Sequence, residues 1–218
     1  MTDAGRIRIA VPVFDRMTAL DAIGPYEVLQ RIPTFDITFV GHAVGEVRTE
    51  NAMLGLRADA TFEELPEPDV IVFPGGVGTR ALETDDRVLG WLCRAHTGTR
   101  FTTSVCTGSI VLGAAGLLRG LPATTHWSCY RELAAHGAEP TPERVVEHLD
   151  RRIITSAGVS SGIDMALRLT ELLVGRTAAQ AAQLMIEYDP QPPFDCGSVA
   201  KSDDTVMTRV IEYAALRS

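Results

Sequence analysis

The sequence predicts an α/β protein built on a doubly wound, mostly parallel sheet with helices on both faces. Short apolar segments alternate with helix-like segments along the chain, an order typical of βαβ units. Asp69–Phe73 is a nearly continuous apolar run, which is the mark of a strand covered on both faces. The chain has 218 residues, of which 45% are hydrophobic. This is enough for one sizeable core, so we expect a single domain over residues 1–218.

Each predicted element has its own signal. The strands are short runs rich in β-branched and aromatic residues, and they span 7–14, 35–40, 69–73, 101–105 and 152–156, with short, partly exposed strands within 44–60. The helices are longer segments, several with apolar residues at helical spacing, and they span 19–32, 79–95, a small-residue segment after Cys106, 162–173, 177–187 and 204–216. Pro25 is expected to kink or reset the start of the first helix. Pro190–Phe194 is expected to be an extended segment packed on the surface or on a partner subunit.

The charge and the lack of long apolar runs argue against several classes of protein. Acidic residues outnumber basic ones by 28 to 20, for a net charge of −8, so the chain lacks the basic face that nucleic acids require. No apolar run approaches the ~20 residues that span a bilayer. The first residues lack the apolar region of a signal peptide. We therefore expect a cytoplasmic protein with no nucleic-acid or membrane partner.

The spacing of possible ligand residues predicts no metal and no cofactor. The four cysteines form no Cys-x-x-Cys pair and, like the histidines, show no zinc-ligand spacing. Disulfides are not expected in a cytoplasmic protein. No Gly-x-Gly-x-x-Gly lies between a strand and a helix, which argues against a nicotinamide cofactor.

Cys106 is the residue that points most directly to chemistry. It lies where a short buried strand meets a small-residue helix, and such a turn presents a nucleophile at the carboxyl end of a sheet. We expect an exposed thiol there, with the start of the helix favouring the thiolate that attacks electrophiles. The alternative is that Cys106 is a small buried core residue, as most free cysteines are.

Asp21 and the Gly75–Gly76 pair also follow apolar strands, so they are expected at the same edge of the sheet as Cys106. Asp21 is the best candidate for an acid–base partner, because a carboxyl group facing the cysteine in a dry pocket holds its proton more tightly. The alternative is that Asp21 caps the helix. The Gly75, Gly76 and Thr107 N–H groups could bind a developing charge, although Gly75–Gly76 could be a plain loop. His126 is a possible further site residue, but a lone histidine beside a tryptophan is more often structural.

Three segments together resemble the ThiJ/PfpI superfamily, whose members have a fold like that of class I glutamine amidotransferases. They are Val72-Phe-Pro-Gly-Gly, Ser104-Val-Cys-Thr-Gly and Ala157-Gly-Val-Ser-Ser-Gly-Ile-Asp. The resemblance covers nearly the entire chain. It implies a flavodoxin-like sandwich, a homodimer, Cys106 as the nucleophile on a strained turn, and an oxyanion-type hole formed by Gly75, Gly76 and Thr107.

Within the superfamily the chain most resembles the isonitrile hydratase branch. That branch is similar in having aspartate at the position of Asp21, and in the segments 117–127 and 186–198. Peptidases of the superfamily place a histidine directly after the nucleophile, whereas this chain has Thr107. Transcription regulators with a similar domain continue into a DNA-binding region, which is not expected in the residues that follow Gly175.

The resemblance implies hydration of an isocyanide to an N-substituted formamide. Cys106 would attack the terminal carbon while Asp21 delivers a proton, and water would release the product from a thioimidate. One rival is a glyoxalase or deglycase acting on reactive carbonyls. Another is a non-enzymatic sensor that uses the oxidation of Cys106.

Overall fold

The computed structural model describes residues 5–216. The chain divides into two compact units, Met1–Glu187 and Tyr188–Ser218. The first unit contains all strands of the described chain and the predicted site. The expectation that all 218 residues form one domain stays a prediction.

The first unit is built on a seven-stranded sheet, together with a β-hairpin and one short additional strand pair. In chain order the strands are β1 Ile7–Pro12, β2 Phe35–Gly41, β3 Gly45–Arg48, β4 Gly55–Ala58, β5 Ala60–Thr61, β6 Val70–Phe73, β7 Phe101–Val105, β8 Pro122–Ala123, β9 Glu139–Pro140, β10 Val145–His148 and β11 Ile153–Ser156. The main sheet has the strand order β10-β11-β7-β6-β1-β2-β5. All of its neighbours pair in parallel except β10 and β11, which are antiparallel. The predicted α/β class is confirmed.

Helices connect the strands of the first unit. They are α1 Ala19–Leu29, α2 Thr79–Leu82, α3 Asp86–Gly98, α4 Gly108–Ala114, α5 Tyr130–Ala135, α6 Ser161–Val174 and α7 Arg176–Met185. Helix α1 runs through Pro25, which lies buried inside it. The second unit contains α8 Asp204–Ala215, none of whose residues is buried.

The hydrophobic core lies on both faces of the central strands. All four residues of β6 are buried, and Ile9 and Val11 of β1 are fully buried. Trp91 on α3 is also in the core, where its indole N–H donates to the Leu65 carbonyl at 3.0 Å. Because β1, β6 and β7 are parallel neighbours, their carboxyl ends meet at one edge of the sheet. That edge carries the predicted site residues.

The region predicted as one helix over 79–95 contains two helices. Asp85 has extended backbone angles, and its carboxylate accepts hydrogen bonds from the Arg87 and Val88 N–H groups. Asp85 is therefore the N-cap of α3, which begins separately from the short helix α2 that ends at Leu82. The prediction of one continuous helix was wrong because this capping aspartate was overlooked.

Residues 44–60 form the predicted short strands, with β3 and β4 paired as an antiparallel hairpin. The elements between 122 and 148 were not predicted from the sequence. They include α5, β10 and the short pair β8–β9. These elements are two to six residues long, too short for hydrophobic periodicity to mark them. Within residues 5–216, no helix is long and apolar enough to cross a membrane.

Candidate active site

Cys106 lies in the turn between β7 and α4, and hydrogen bonds fix its backbone on both sides. Its φ is +56°, a left-handed conformation that is unfavourable for a side chain other than glycine. The Cys106 N–H donates to the carbonyls of Ser156 and Ala157 at 3.0 and 3.1 Å. The Cys106 carbonyl accepts hydrogen bonds from the hydroxyls of Ser109 and Thr125, each at 3.1 Å. These bonds hold the strained turn and so fix the position of the sulfur atom.

The Cys106 thiol is buried, contrary to the expectation of an exposed group. The residue is 4% exposed and lines a pocket of about 240 Å³. The pocket is lined by Thr18, Glu50, Gly76, Val77, Arg80, Cys106, Thr107, His126, Ser128, Cys129 and Val159. The structure thus brings four of the predicted site residues, Cys106, Thr107, Gly76 and His126, to one cavity.

Asp21 lies in the first turn of α1 and is fully buried. Its Oδ2 accepts a hydrogen bond from the Gly75 N–H at 3.0 Å, and its carboxyl group interacts electrostatically with the neighbouring Cys106 side chain. Thr18, not Asp21, occupies the N-cap position of α1. The alternative that Asp21 merely caps the helix is therefore wrong, and the carboxyl group faces Cys106 as predicted.

Burial gives Asp21 an unusually high proton affinity. It raises the pKa of the carboxyl group to about 8, although the bonds from Gly75 and Cys106 partly oppose this and the charge of Glu50 adds to it. Within the described part of the chain, Asp21 Oδ1 has no hydrogen-bond partner. A buried oxygen without a partner is rare. This one is suited to bind a water molecule or a reacting group.

The pKa of the Cys106 thiol is also raised well above its ordinary value. Burial is the main cause and the neighbouring Asp21 carboxylate adds to it, while a hydrogen bond from the Thr107 N–H acts in the opposite direction. The start of the helix favours the thiolate through the Thr107 N–H, but burial and the neighbouring carboxylate outweigh this effect. Because the two groups are close and both buried, ionising one makes it harder to ionise the other.

Gly75 and Gly76 bring the backbone unusually close to the site. A Cβ atom on Gly75 would lie 2.5 Å from the Thr107 nitrogen and 2.9 Å from Asp21 Oδ2. Gly76 has a φ of +127°, and a Cβ there would lie 2.4 Å from the Thr18 nitrogen. A side chain fits at neither position, so this segment is more than a plain loop.

The predicted N–H donors already have partners inside the protein. The Gly75 N–H bonds to Asp21, and the Gly76 N–H donates to Thr107 Oγ1 at 2.8 Å. The Thr107 hydroxyl in turn donates to the Gly76 carbonyl at 3.1 Å. The glycine amides therefore hold the carboxyl group and the threonine in place, while the Thr107 N–H lowers the pKa of the Cys106 thiol. An oxyanion role for the two glycine amides stays a prediction.

His126 borders the pocket and has a structural bonding pattern. Its Nδ1 lies 2.7 Å from Ser128 Oγ, and the ring caps the short 3₁₀ helix Trp127–Cys129. Burial lowers the pKa of the imidazole, an effect that the charge of Glu50 opposes and that of Arg80 reinforces. His126 is thus near Cys106 but also has a local structural role.

Two charged residues that line the pocket, Glu50 and Arg80, were not predicted from the sequence. Glu50 follows the hairpin strand β3, and its Oε1 accepts hydrogen bonds from Thr18 Oγ1 and the Val77 N–H. The Arg80 guanidinium donates to Cys129 Sγ at 3.3 Å and to Glu132 Oε2 at 2.7 Å. No sequence signal marked Glu50 or Arg80, and Cys129, one of the four cysteines, was not predicted to have a role. Among the described residues, no group of three or more His, Cys, Asp or Glu side chains is arranged to hold a metal ion.

The fold and the site together define a class of protein with a buried thiol–carboxyl pair at the carboxyl edge of a parallel sheet. Residues 7–172 match the DJ-1/PfpI family, and the chain belongs to this family. The resemblance found in the sequence is thereby confirmed.

Among curated relatives, the isonitrile hydratase of Pseudomonas putida is 42% identical over 212 residues, which are 97% of this chain and 90% of that protein. The transcriptional regulator GbdR of Pseudomonas aeruginosa is 31% identical over 136 residues, which are 62% of this chain and 37% of the regulator. A ThiJ/PfpI family protein from Pseudomonas syringae has a solved structure that is 39% identical. It superposes with a TM-score of 0.90 and covers 97% of this chain and 87% of that one.

Proposed function

We propose that this protein is an isocyanide hydratase, which converts R–N≡C and water to the formamide R–NH–CHO. A sequence comparison and a structural observation support this proposal. The chain is 42% identical to isonitrile hydratase over nearly its full length. The single structural observation that carries the chemistry is the buried contact between the Cys106 thiol and the Asp21 carboxyl group, whose pKa of about 8 keeps it protonated at neutral pH.

In the first step the thiol adds to the terminal carbon of the isocyanide. The Cys106 sulfur forms a bond to this carbon, and Asp21 gives its proton to the same carbon while it takes up the proton of the thiol. The product is a thioimidate, R–N=CH–S–Cys106, and Asp21 ends the step protonated. The Thr107 N–H, which favours the thiolate form of Cys106, stabilises the negative charge that develops on the sulfur.

In the second step water releases the product. Its oxygen bonds to the thioimidate carbon, one proton reaches the nitrogen, and a tetrahedral adduct R–NH–CH(OH)–S–Cys106 forms. The carbon–sulfur bond then breaks, and the hydroxyl proton passes through Asp21 to the leaving sulfur. This step returns the free thiol and the formamide. Asp21 Oδ1, for which the described residues supply no partner, is the atom placed to hold the water.

The test is formamide production from an aryl isocyanide by the purified protein, with Cys106→Ala and Cys106→Ser in parallel. We expect product with the wild type and no turnover with either variant. A short incubation followed by acid quenching should show the wild-type chain heavier by the mass of one isocyanide, attached at Cys106. Substantial turnover by Cys106→Ala would contradict the covalent route.

The same protein should be assayed with methylglyoxal for lactate production. Lactate without formamide would replace the proposal with carbonyl chemistry at the same thiol. No product from either compound, combined with peroxide-dependent oxidation of Cys106, would replace it with the sensor function.

A further inference from the structure

Glu50 connects three segments next to the site, which are the turn after β3, the start of α1 and the Gly75–Gly76 turn. It follows β3, and its own N–H donates to the Met17 carbonyl at 3.1 Å. Its Oε1 accepts from Thr18 Oγ1 at 2.7 Å and from the Val77 N–H at 3.2 Å. Thr18 is the N-cap residue of the helix that carries Asp21, and Val77 directly follows the glycine pair. One carboxylate oxygen thus bridges the start of α1 to the Gly75–Gly76 turn.

A second link runs beside this bridge. The Thr18 N–H donates to the Gly75 carbonyl at 2.9 Å, and the Asp21 N–H donates to the Thr18 carbonyl at 3.1 Å. Together with the bond from the Gly75 N–H to Asp21, these contacts form a closed ring through Thr18, Gly75 and Asp21. Glu50 is attached to this ring from the pocket side.

We propose that Glu50 is a positioning residue of this site, which holds the start of α1 against the Gly75–Gly76 turn and places a fixed negative charge beside the Cys106–Asp21 pair. The proposal rests on the function proposed above where it concerns turnover. The effect of Glu50 on the thiol–carboxyl pair does not depend on that function. Glu50 bonds to neither Cys106 nor Asp21 in the structure. It acts through its hydrogen bonds to Thr18 and Val77 and through the electrostatic field of its carboxylate.

Within residues 5–216, no cationic side chain forms an ion pair with Glu50. The Arg80 guanidinium faces the pocket from α2, but it pairs with Glu132 of α5 at 2.7 Å. Burial lowers the pKa of His126 and so disfavours the charged form of this imidazole. Among the described residues, the titratable and charged groups that line the pocket beside Cys106 are Glu50 after β3, Arg80 of α2, and His126 and Cys129 of the 3₁₀ segment; Glu132 of α5 approaches it only as the partner of Arg80. A negative charge beside the pair disfavours its ionisation, and the contribution of Glu50 to the raised pKa of Asp21 has this direction.

Two substitutions separate the bridge from the charge. Glu50→Gln keeps an oxygen that accepts from Thr18 and Val77 but removes the charge, whereas Glu50→Ala removes both. In Glu50→Gln we expect the pair to ionise at lower pH, with a smaller loss of maximal rate than in Glu50→Ala. We expect Glu50→Ala to show the same shift and, in addition, a fall in kcat of about tenfold, because the segment that carries Asp21 loses its link to the glycine turn.

The first readout needs no isocyanide. The rate of Cys106 alkylation by iodoacetamide is followed from pH 6 to 10 by peptide mass spectrometry, which distinguishes Cys106 from the other three thiols. In Glu50→Gln the midpoint should move to lower pH by on the order of 0.5 unit, the size expected for one partly solvated charge. The shift should shrink in 1 M salt, because salt screens charges near solvent. A purely structural role would not produce this salt dependence.

The matched control is Asp36→Asn. Asp36 lies near the amino end of β2, opposite Arg8 of β1, and so at the edge of the sheet that is far from the site. The substitution Asp36→Asn removes one negative charge, as Glu50→Gln does. Its alkylation midpoint should equal that of the wild type. Equal midpoints for the wild type, Glu50→Gln and Glu50→Ala would overturn the proposal. So would a shift that Asp36→Asn reproduces.

The second readout is the pH profile of isocyanide turnover, which should move in the same direction as the alkylation midpoint. If the wild type shows no turnover, the proposed function fails, while the alkylation series still decides the role of Glu50. If turnover is present but both Glu50 variants keep the wild-type pH profile and kcat, the role of Glu50 fails and the proposed function stands.

Discussion

The Gly75 N–H donates to Asp21 Oδ2 at 3.0 Å, across a contact too close for any side chain at position 75. The bond fixes one oxygen of a fully buried carboxyl group and leaves the other, Oδ1, without a partner among the described residues. It also lowers the pKa of Asp21, yet burial outweighs it and the pKa is about 8. The bond therefore positions the carboxyl group while the surrounding protein keeps it protonated.

The first prediction concerns the pH dependence of turnover. The proposed route needs a protonated Asp21, so kcat/KM should be constant below about pH 8 and fall about tenfold per pH unit above it. Asp21→Asn cannot relay a proton and should reduce kcat by about 10²-fold or more at every pH. Steady-state rates of formamide production from pH 6 to 10 test both statements. A wild-type rate in Asp21→Asn would remove Asp21 from the mechanism.

The second prediction concerns stability. The folded pKa of Asp21 is about 8, against 3.8 for an ordinary aspartate, so between these values the folded state binds more protons than the unfolded state. The free energy of unfolding should then decrease as pH rises from about 4 to about 8, and this contribution should change no further at higher pH.

Asp21→Asn stays neutral and should lack this decrease. The difference between variant and wild type should grow in favour of the variant by on the order of a few kcal/mol between pH 5 and 9. Urea unfolding of both proteins at pH 5, 7 and 9 measures it. A parallel pH dependence for the two proteins would show that Asp21 ionises in the folded state as an ordinary aspartate does.

The sequence predicted the residues that follow regular strands. Cys106 and the Gly75–Gly76 pair come directly after apolar strands, and Asp21 follows the first strand by a short loop. The rule that parallel strands share their carboxyl edge was enough to bring these residues together. The resemblance to the ThiJ/PfpI superfamily and the α/β class were likewise confirmed by the family match and the sheet topology.

The missed features depend on three-dimensional contacts that no local pattern records. Glu50 reaches the site from the irregular turn after β3 through hydrogen bonds to residues 27 and 32 positions away. Arg80 lies on a helix of four residues, too short for periodicity to identify. The burial of Cys106 depends on the surrounding segments and not on the turn itself. This burial raises the pKa of the thiol, although the turn at the start of a helix favours the thiolate.

The third prediction tests the close approach at the glycine pair. In Gly75→Ala the new methyl group would lie 2.5 Å from the Thr107 nitrogen and 2.9 Å from Asp21 Oδ2, so the backbone must move and Asp21 must shift. We expect turnover to fall by about 10²-fold, since misplacement by about 1 Å has this effect on catalysis. Gly98→Ala is the matched control, because a Cβ at Gly98, the last residue of α3, meets no atom within 4 Å. Turnover and thermal unfolding are compared for both variants, and equal activity in the two would contradict the steric argument.

The fourth prediction concerns the Thr107 hydroxyl, which exchanges hydrogen bonds with the Gly76 N–H at 2.8 Å and the Gly76 carbonyl at 3.1 Å. Thr107→Val is nearly isosteric but leaves the buried Gly76 N–H without its partner, which should reduce the free energy of unfolding by about 1–3 kcal/mol. The Thr107 N–H, which favours the thiolate of Cys106, should also lose its fixed position, so kcat should fall by about tenfold. Thr107→Ser keeps the hydroxyl and should retain most of the activity and stability. Urea unfolding and steady-state rates of the three proteins separate the two effects. If Thr107→Ser loses as much activity as Thr107→Val, the methyl group of Thr107, and not its hydroxyl, positions the turn.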